Sequence, residues 1–306
     1  MGKIKEIRAE QLVLRYLRAY GITINDFDDI GFVEFMNEHV APGVVPSTWA
    51  AYRSSVKDYI SDQAYQMLKA SQAGKRQGRK RKTSSTRAKS LPDADFLKIV
   101  YFVKQKSKKT GAIGKLTVSA LYVSLLTGMR PHEWNYAKFE GHYLIIENKK
   151  LNQCTEKVWA ARYLDMSHLE QKDIDMIQDF LTYIQTRTHE FDKLRKSLTA
   201  WLSQANKKLF PRRKRYITLL SARHQFIADL KASQRYSPME IAYLVGHASD
   251  WRAFESYGRR SSGDGSVGLP SIPHEQRLEV AKVAQHFETK TQKMELKNTS
   301  PSIGLS

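Results

Sequence analysis

The 306-residue sequence contains a single cysteine, Cys154, which excludes an intrachain disulfide and every multi-cysteine zinc pattern. Its nine histidines show no H-E-x-x-H spacing, and no glycine-rich nucleotide loop occurs. A structural metal is not expected. No apolar run approaches the roughly 18 residues of a membrane-spanning helix. The opening MGKIKEIRAE lacks the apolar core of a signal peptide, and Glu6 stands where a myristoylation signal needs Ser or Thr. A cytoplasmic protein without a membrane partner is the expectation. Acidic residues are also scarce: 31 Asp plus Glu stand against 50 Lys plus Arg, a formal net charge of +19. Such a surplus repels itself unless a polyanion is part of the working state, and nucleic acid is the leading candidate.

With 41% hydrophobic residues, the chain has enough apolar material for two packed domains. The composition shifts at residues 73–90, AGKRQGRKRKTSSTRAKS, which have almost nothing apolar and read as a solvated linker between domains. A solubilising tail would have the same composition. Folded-looking segments on both sides favour instead a strap whose Lys75, Arg76, Arg79, Lys80, Arg81 and Lys82 touch DNA phosphates. Residues 1–72 read as a helical bundle. Leu12, Tyr16 and Ala19 repeat at helical spacing before Gly21, and Ser47 is placed to cap a helix with Trp49, Tyr52, Val56 and Ile60 on one stripe. Aromatic residues at that spacing are assigned to the core.

Residues 91–306 form the second expected domain. ADFLKIVYFVKQK and KLTVSALYVSLLTGMRPHEW read as buried helices, with a turn at Gly128 and Pro131 opening a new helix, so that Arg130 sits at the junction. HYLIIEN and KVWAARYLDM are β-rich and flank the polar KKLNQCTE, which predicts a hairpin carrying Lys149 and Lys150. Helical patterns resume near Ser167. LLSARHQFIADLKAS sets Arg223 and His224 among apolar neighbours, and an arginine near a buried face needs a fixed anion. A Ser237-capped helix should stop at Gly246, followed by His247 and a helix bearing Trp251, Phe254 and Tyr257. The fold class is therefore mainly α with one small antiparallel sheet.

Phosphoryl transfer on DNA needs fixed donors for the phosphate's negative charge, an in-line nucleophile and a general acid for the leaving oxygen. Two arginines on separate helices would suffice to hold the phosphate. Tyrosine, lysine and histidine can supply the other parts without metal.

The order TGMRPHEW, a hairpin lysine, SARHQF, LVGH and YGRR is similar to that of tyrosine recombinases, the phage-integrase family. The wording SARHQF…GHAS…YGRR resembles integrases of integrative elements and genomic islands in particular. The resemblance implies a two-domain architecture, with a helical core-binding domain and a mixed α/β catalytic domain closing as a C-shaped clamp on duplex DNA. It further implies that Arg130 and Arg223 bind the non-bridging oxygens of the scissile phosphate, that His247 hydrogen-bonds it, and that Tyr257 attacks phosphorus. A 3′-phosphotyrosyl intermediate and a free 5′-hydroxyl follow, with Lys150, in preference to Lys149, protonating the leaving oxygen. No cofactor, metal or ATP is implied. The expected assembly is a homotetramer on two DNA sites, monomeric or dimeric off DNA, with an accessory DNA-bending or directionality factor as a candidate partner. A bacterial or phage-encoded, nucleoid-associated protein is the implied setting.

One departure concerns Leu220, which occupies the position three before the second arginine where the family often has a histidine. His224 is an accessory candidate for its role, but it lies on another helical face. Glu133 is expected to anchor its helix or orient a neighbouring arginine rather than act as an acid, and Tyr243, Trp251 and Cys154 to be structural. Arg212, Arg213 and Lys214 in PRRKRY, with Arg259 and Arg260, are further candidates for DNA contact. Residues 274–293 form an expected tail helix, packed on its own domain or on a neighbouring protomer. A helix-turn-helix regulator that cuts nothing, or a type IB topoisomerase, are the alternative functions.

Overall fold

The computed structural model describes residues 3–71, 87–105, 108–147, 160–246 and 258–282. The chain divides into two compact units, Met1–Thr83 and Ser84–Ser306. Among the described residues, no helix is long and apolar enough to cross a membrane.

The first unit is built of helices α1 (Lys3–Tyr20), α2 (Asp29–Phe35), α3 (Pro46–Val56) and α4 (Asp62–Ala70). Ala9, Leu12, Val13, Tyr16 and Leu17 recur at steps of three and four and are the buried face of α1. Because the stripe runs through Val13 and Leu17, Ala19 turns outward and is exposed, against expectation. The Tyr16 ring lies 5.8, 5.5 and 5.5 Å from Phe27, Phe32 and Phe35, so one aromatic cluster ties α1 to α2. Trp49 and Val56 are buried, and Tyr52 and Ile60 pack half-buried beside them, as the stripe predicted. Ser47 is not the cap of α3. Val45 is, with Pro46 in the first turn, where a residue lacking an N–H loses nothing.

The second unit continues with α5 (Asp93–Lys104) and α6 (Lys108–Thr127), then strands β1 (Ala137–Glu140), β2 (Tyr143–Glu147) and β3 (Ala161–Asp165). The strands pair antiparallel in the order β1-β2-β3, with Ile146 opposite Arg162. The predicted hairpin is thus β2 and β3, while β1 is an additional strand, too short for its alternation to register in the sequence. Helices α7 (Gln171–Gln185), α8 (Phe191–Leu209), α9 (Leu219–Ser233) and α10 (Pro238–Leu244) follow. The core centres on α6 and α9, where Leu121 and Val123 share one apolar cluster with Ala222, Phe226 and Leu230. Buried Asn206 accepts from Ile217 N at 3.0 Å and donates to Ile217 O at 2.8 Å, which fixes the chain entering α9.

Residues 87–91, expected to fall mostly in the linker, belong to this unit. Ala88 N donates to Tyr216 O at 2.9 Å, Ser221 Oγ to Ala88 O at 2.7 Å, and Leu91 is fully buried. The described start of the tail helix, residues 274–282, packs on its own unit through buried Val280 and an Arg277–Glu240 ion pair of 3.1 Å.

Candidate functional site

Arg130 owes its place to Gly128. That glycine has φ +63°, and a Cβ there would lie 2.3 Å from the Phe226 ring, so only glycine lets the chain leave α6 this close to α9. Arg130 then precedes a 3-10 turn, Pro131–Asn135. One turn on, Glu133 reaches back: its Oε2 accepts from Arg130 N and its Oε1 from Arg130 Nη1, each at 2.7 Å. Arg162 arrives from β3 and donates Nη2 to Oε2 at 2.7 Å and Nη1 to Oε1 at 3.4 Å. Arg223 arrives from α9, with Nη1 3.9 Å from Oε2 and hydrogen-bonded to Gly128 O.

Three arginines from three separate elements thus surround one carboxylate. Side-chain exposure is 0% for Arg162, 2% for Arg223 and Glu133, and 18% for Arg130, so Arg130 is the member open to solvent. Burial alone would raise the Glu133 pKa. The guanidinium groups of Arg162, Arg223 and Arg130 more than offset it and hold the carboxyl well below the usual range. Glu133 is therefore an ionised anchor rather than a proton donor, and the four side chains carry a net charge of +2, three positive less one negative. A buried excess of positive charge is suited to receiving an anion.

Two of these arginines, Arg223 and Arg130, also hold the end of α10. Arg223 Nη2 donates to Val245 O, and Arg130 Nη1 and Nη2 to Gly246 O at 3.3 and 3.2 Å. Cationic donors on the last carbonyls suit the negative end of a helix. Gly246 is the residue before His247. Gly258, the residue after Tyr257, lies against α9: with φ +52°, its added Cβ would be 2.7 Å from both His224 O and Ala228 N. Lys231 Nζ donates to Gly258 O at 2.9 Å, and Gln225 Nε2 to Ser262 O at 2.8 Å, which fastens this segment along α9. The chain neighbours of the expected histidine and tyrosine thus meet elements that carry Arg130 and Arg223.

His247, Tyr257, Lys149, Lys150, Trp251, Phe254 and Cys154 lie outside the described residues, as do Lys75, Arg76, Arg79, Lys80, Arg81 and Lys82. His224 is half-buried; burial, with the positive charges of Arg223, Lys89 and Arg87, pushes its pKa down to about 4. It is a neutral, weak base near pH 7. Leu220 is half-buried one turn before Arg223 and brings neither donor nor acceptor. Arg212, Lys214, Arg259 and Arg260 are exposed. Arg213 differs, because it pairs with Asp95 at 2.7 Å and lies over the Phe210 ring at 4.3 Å. Arg259 lines a cleft of about 280 Å³ with Lys89, Arg213 and Arg215.

Arg162 was absent from the residues expected at the site. Its signal was nonetheless present: in ARYLD the alternation sets Arg162 on the buried face with Leu164, and a charge there calls for a partner. Tyr243 is structural, as expected. Its hydroxyl accepts from Tyr163 N at 2.9 Å, and burial pushes the phenol up to about 12.

No family model and no curated protein matches the sequence. Among solved structures, the chain is similar to a lambda integrase tetramer bound to a Holliday junction, with 16% identity over 89% of this chain and 75% of that one and a TM-score of 0.48. A lambda integrase dimer bound to a COC′ core site gives 16%, 90%, 75% and 0.47. The Tn1549 transposon integrase in complex with transposon right end DNA gives 14%, 86%, 92% and 0.45. At such identities and TM-scores, these likenesses assign no activity and no residue.

Proposed function

We propose that the chain is a site-specific DNA recombinase of the tyrosine type, which breaks and rejoins strands through a covalent phosphotyrosine. The observation that carries this reading is the pairing of Arg130 and Arg223 from separate elements on one buried carboxylate, with positive charge in excess. Planar guanidinium groups hold two non-bridging phosphate oxygens, and their fixed orientation favours the charge that gathers on those oxygens in the transition state. In the free chain the same donors hold Val245 O and Gly246 O, so DNA binding exchanges backbone carbonyls for phosphate oxygens.

In this reading the Tyr257 oxygen attacks phosphorus in line, the P–O5′ bond breaks, and Lys150 gives its proton to the departing 5′-oxygen. His247 hydrogen-bonds the phosphate. The 3′-phosphotyrosyl bond keeps the free energy of the broken diester, so a second 5′-hydroxyl rejoins the strand by the reverse displacement, without ATP. His224, with its pKa near 4, is too weak a base to replace the histidine missing at Leu220. A DNA-bound water or His247 takes the tyrosine proton. Exposed Arg212, Lys214, Arg259 and Arg260, with the basic 73–90 segment, supply phosphate contacts along the duplex. Four protomers on two sites are the working assembly.

The test is a nicked suicide substrate carrying a candidate attachment site. Wild type should trap a covalent protein–DNA adduct, and Tyr257→Phe none, while both bind the duplex. Sequence-specific binding with no adduct across authentic sites would make the protein a non-cleaving regulator, and relaxation of supercoiled plasmid by the monomer would make it a type IB topoisomerase.

A further inference from the structure

We infer that Arg162 is a positioning residue that neutralises Glu133 from the interior side, leaving Arg130 and Arg223 oriented by that carboxylate yet electrostatically available to an anion. The inference rests on the anion-site reading above. Glu133 has two jobs that conflict. It fixes Arg130 through two contacts of 2.7 Å, but its negative charge also opposes any phosphate brought to Arg130. Arg162 resolves the conflict by donating to both carboxylate oxygens from behind, at 2.7 and 3.4 Å.

The position of Arg162 in the sheet argues against a purely packing role. It stands on the core face of β3 beside Leu164, where an apolar side chain would pack without the desolvation that a guanidinium suffers. It is 0% exposed, so it does not meet a substrate itself. The strand that carries it also binds the helix end that the other arginines hold, because Tyr163 N donates to Tyr243 on α10. Arg162 thus acts through Glu133 and the frame around it. Its contribution can be counted: the four side chains carry +2, Arg162→Met leaves two arginines and one carboxylate, or +1, and Arg162→Met/Glu133→Gln leaves two arginines and no carboxylate, or +2 again.

Titration with orthophosphate by calorimetry at constant ionic strength separates the possibilities. Surface lysines and arginines bind phosphate equally in every variant, so differences between variants report the buried cluster. Thermal melts verify that each variant folds. The expected result is that Arg162→Met weakens the cluster's phosphate affinity by about tenfold, Arg162→Lys by less, and Arg162→Met/Glu133→Gln recovers most of the loss although two contacts are now gone. A purely structural Arg162 would make the double variant no better than Arg162→Met, and that outcome overturns the inference. So does wild-type affinity in Arg162→Met. Should Arg162→Met fail to fold, Arg162→Lys decides: loss of phosphate binding in a folded lysine variant overturns a charge role. A wild-type chain whose titration is identical to that of Arg223→Met overturns the anion-site reading itself, and the inference with it, whereas phosphate binding in wild type matched by Arg162→Met overturns the inference alone.

Discussion

The two units of the chain solve different problems with similar helices. In the first unit every buried side chain among the described residues is uncharged, with Ser55 as the polar exception, and an aromatic cluster around Tyr16 supplies the core. The second unit buries Asp95, Glu133, Arg162, Arg223 and Asp229. Burying charge rarely stabilises a fold more than apolar packing would. Among the described residues buried charge is confined to one unit, and in the recombinase proposed above that is the unit that meets the phosphate. Substitutions in the two units should accordingly fail in different ways.

The largest effect on stability is expected in the first unit. Trp49 is 3% exposed, and Trp49→Ala should destabilise that unit by about 3–5 kcal/mol, from lost burial plus the cavity left behind. Urea unfolding followed by circular dichroism would show an early transition, while phosphate titration of the folded protein stays as in wild type. A parallel loss of phosphate affinity would erase the contrast between the units.

Arg223→Ala should fail in a different way. If Arg223 orients the phosphate as proposed, adduct formation on a suicide substrate should fall by about 10²–10³-fold even in protein that is still folded. Stability should fall as well, because Gly128 O and Val245 O lose a buried donor and Glu133 a neighbouring positive charge, so the adduct assay is run well below the unfolding midpoint. An adduct rate within a factor of a few of wild type would leave Arg223 a structural residue and break the comparison from the other side.

Much of this architecture was legible because it follows from local rules. The helical stripe through Leu12 and Tyr16, the turn at Gly128, the Ser237 cap with Glu240 and the β2–β3 hairpin each depend on residues near in sequence. Arg130 and Arg223 were singled out by their motif context, and the structure brings both to Glu133. What was not legible depended on contacts distant in sequence. Arg162 meets Glu133 across 29 positions, and nothing local to ARYLD says which carboxylate waits opposite its buried face. Ser47 failed as a cap for a local reason: Pro46, immediately before it, claimed the first helical turn. Arg213 was read with its neighbours as a DNA contact, yet its partner Asp95 lies on α5.

A smaller effect should appear in the pH dependence of the second unit. The His224 pKa is lowered from an ordinary 6.5 to about 4 on folding. Above 6.5 the imidazole is neutral in both states, and its contribution to stability is fully present. As pH falls from 6.5 to about 4, the unfolded chain gains a proton that the folded chain does not. Stability is lost across that window, at no more than about 1.4 kcal/mol per pH unit and less for a half-buried ring screened by solvent. His224→Gln should flatten this part of the stability profile, and its adduct rate near neutral pH should hold if the ring is no catalytic base. A profile as steep as wild type would mean that His224 titrates in the fold as it does in the open chain.

The smallest effects separate three neighbours on the surface of the second unit. Arg212 and Lys214 are exposed, so replacing both with alanine should leave stability within about 0.5 kcal/mol of wild type. If both touch phosphates, the double variant should bind DNA more weakly on every sequence and reduce the slope of log affinity against log salt by about 2. Arg213 is already committed, to Asp95 at 2.7 Å and to the face of Phe210. Arg213→Ala should therefore lower the unfolding midpoint by a degree or a few, because the residue stiffens the loop between α8 and α9, and should change the salt slope by well under 1. The converse result, a reduced salt slope for Arg213→Ala and none for the flanking pair, would show that DNA draws Arg213 away from Asp95. The line between a charge that holds the fold and one that meets the polyanion would then shift on binding.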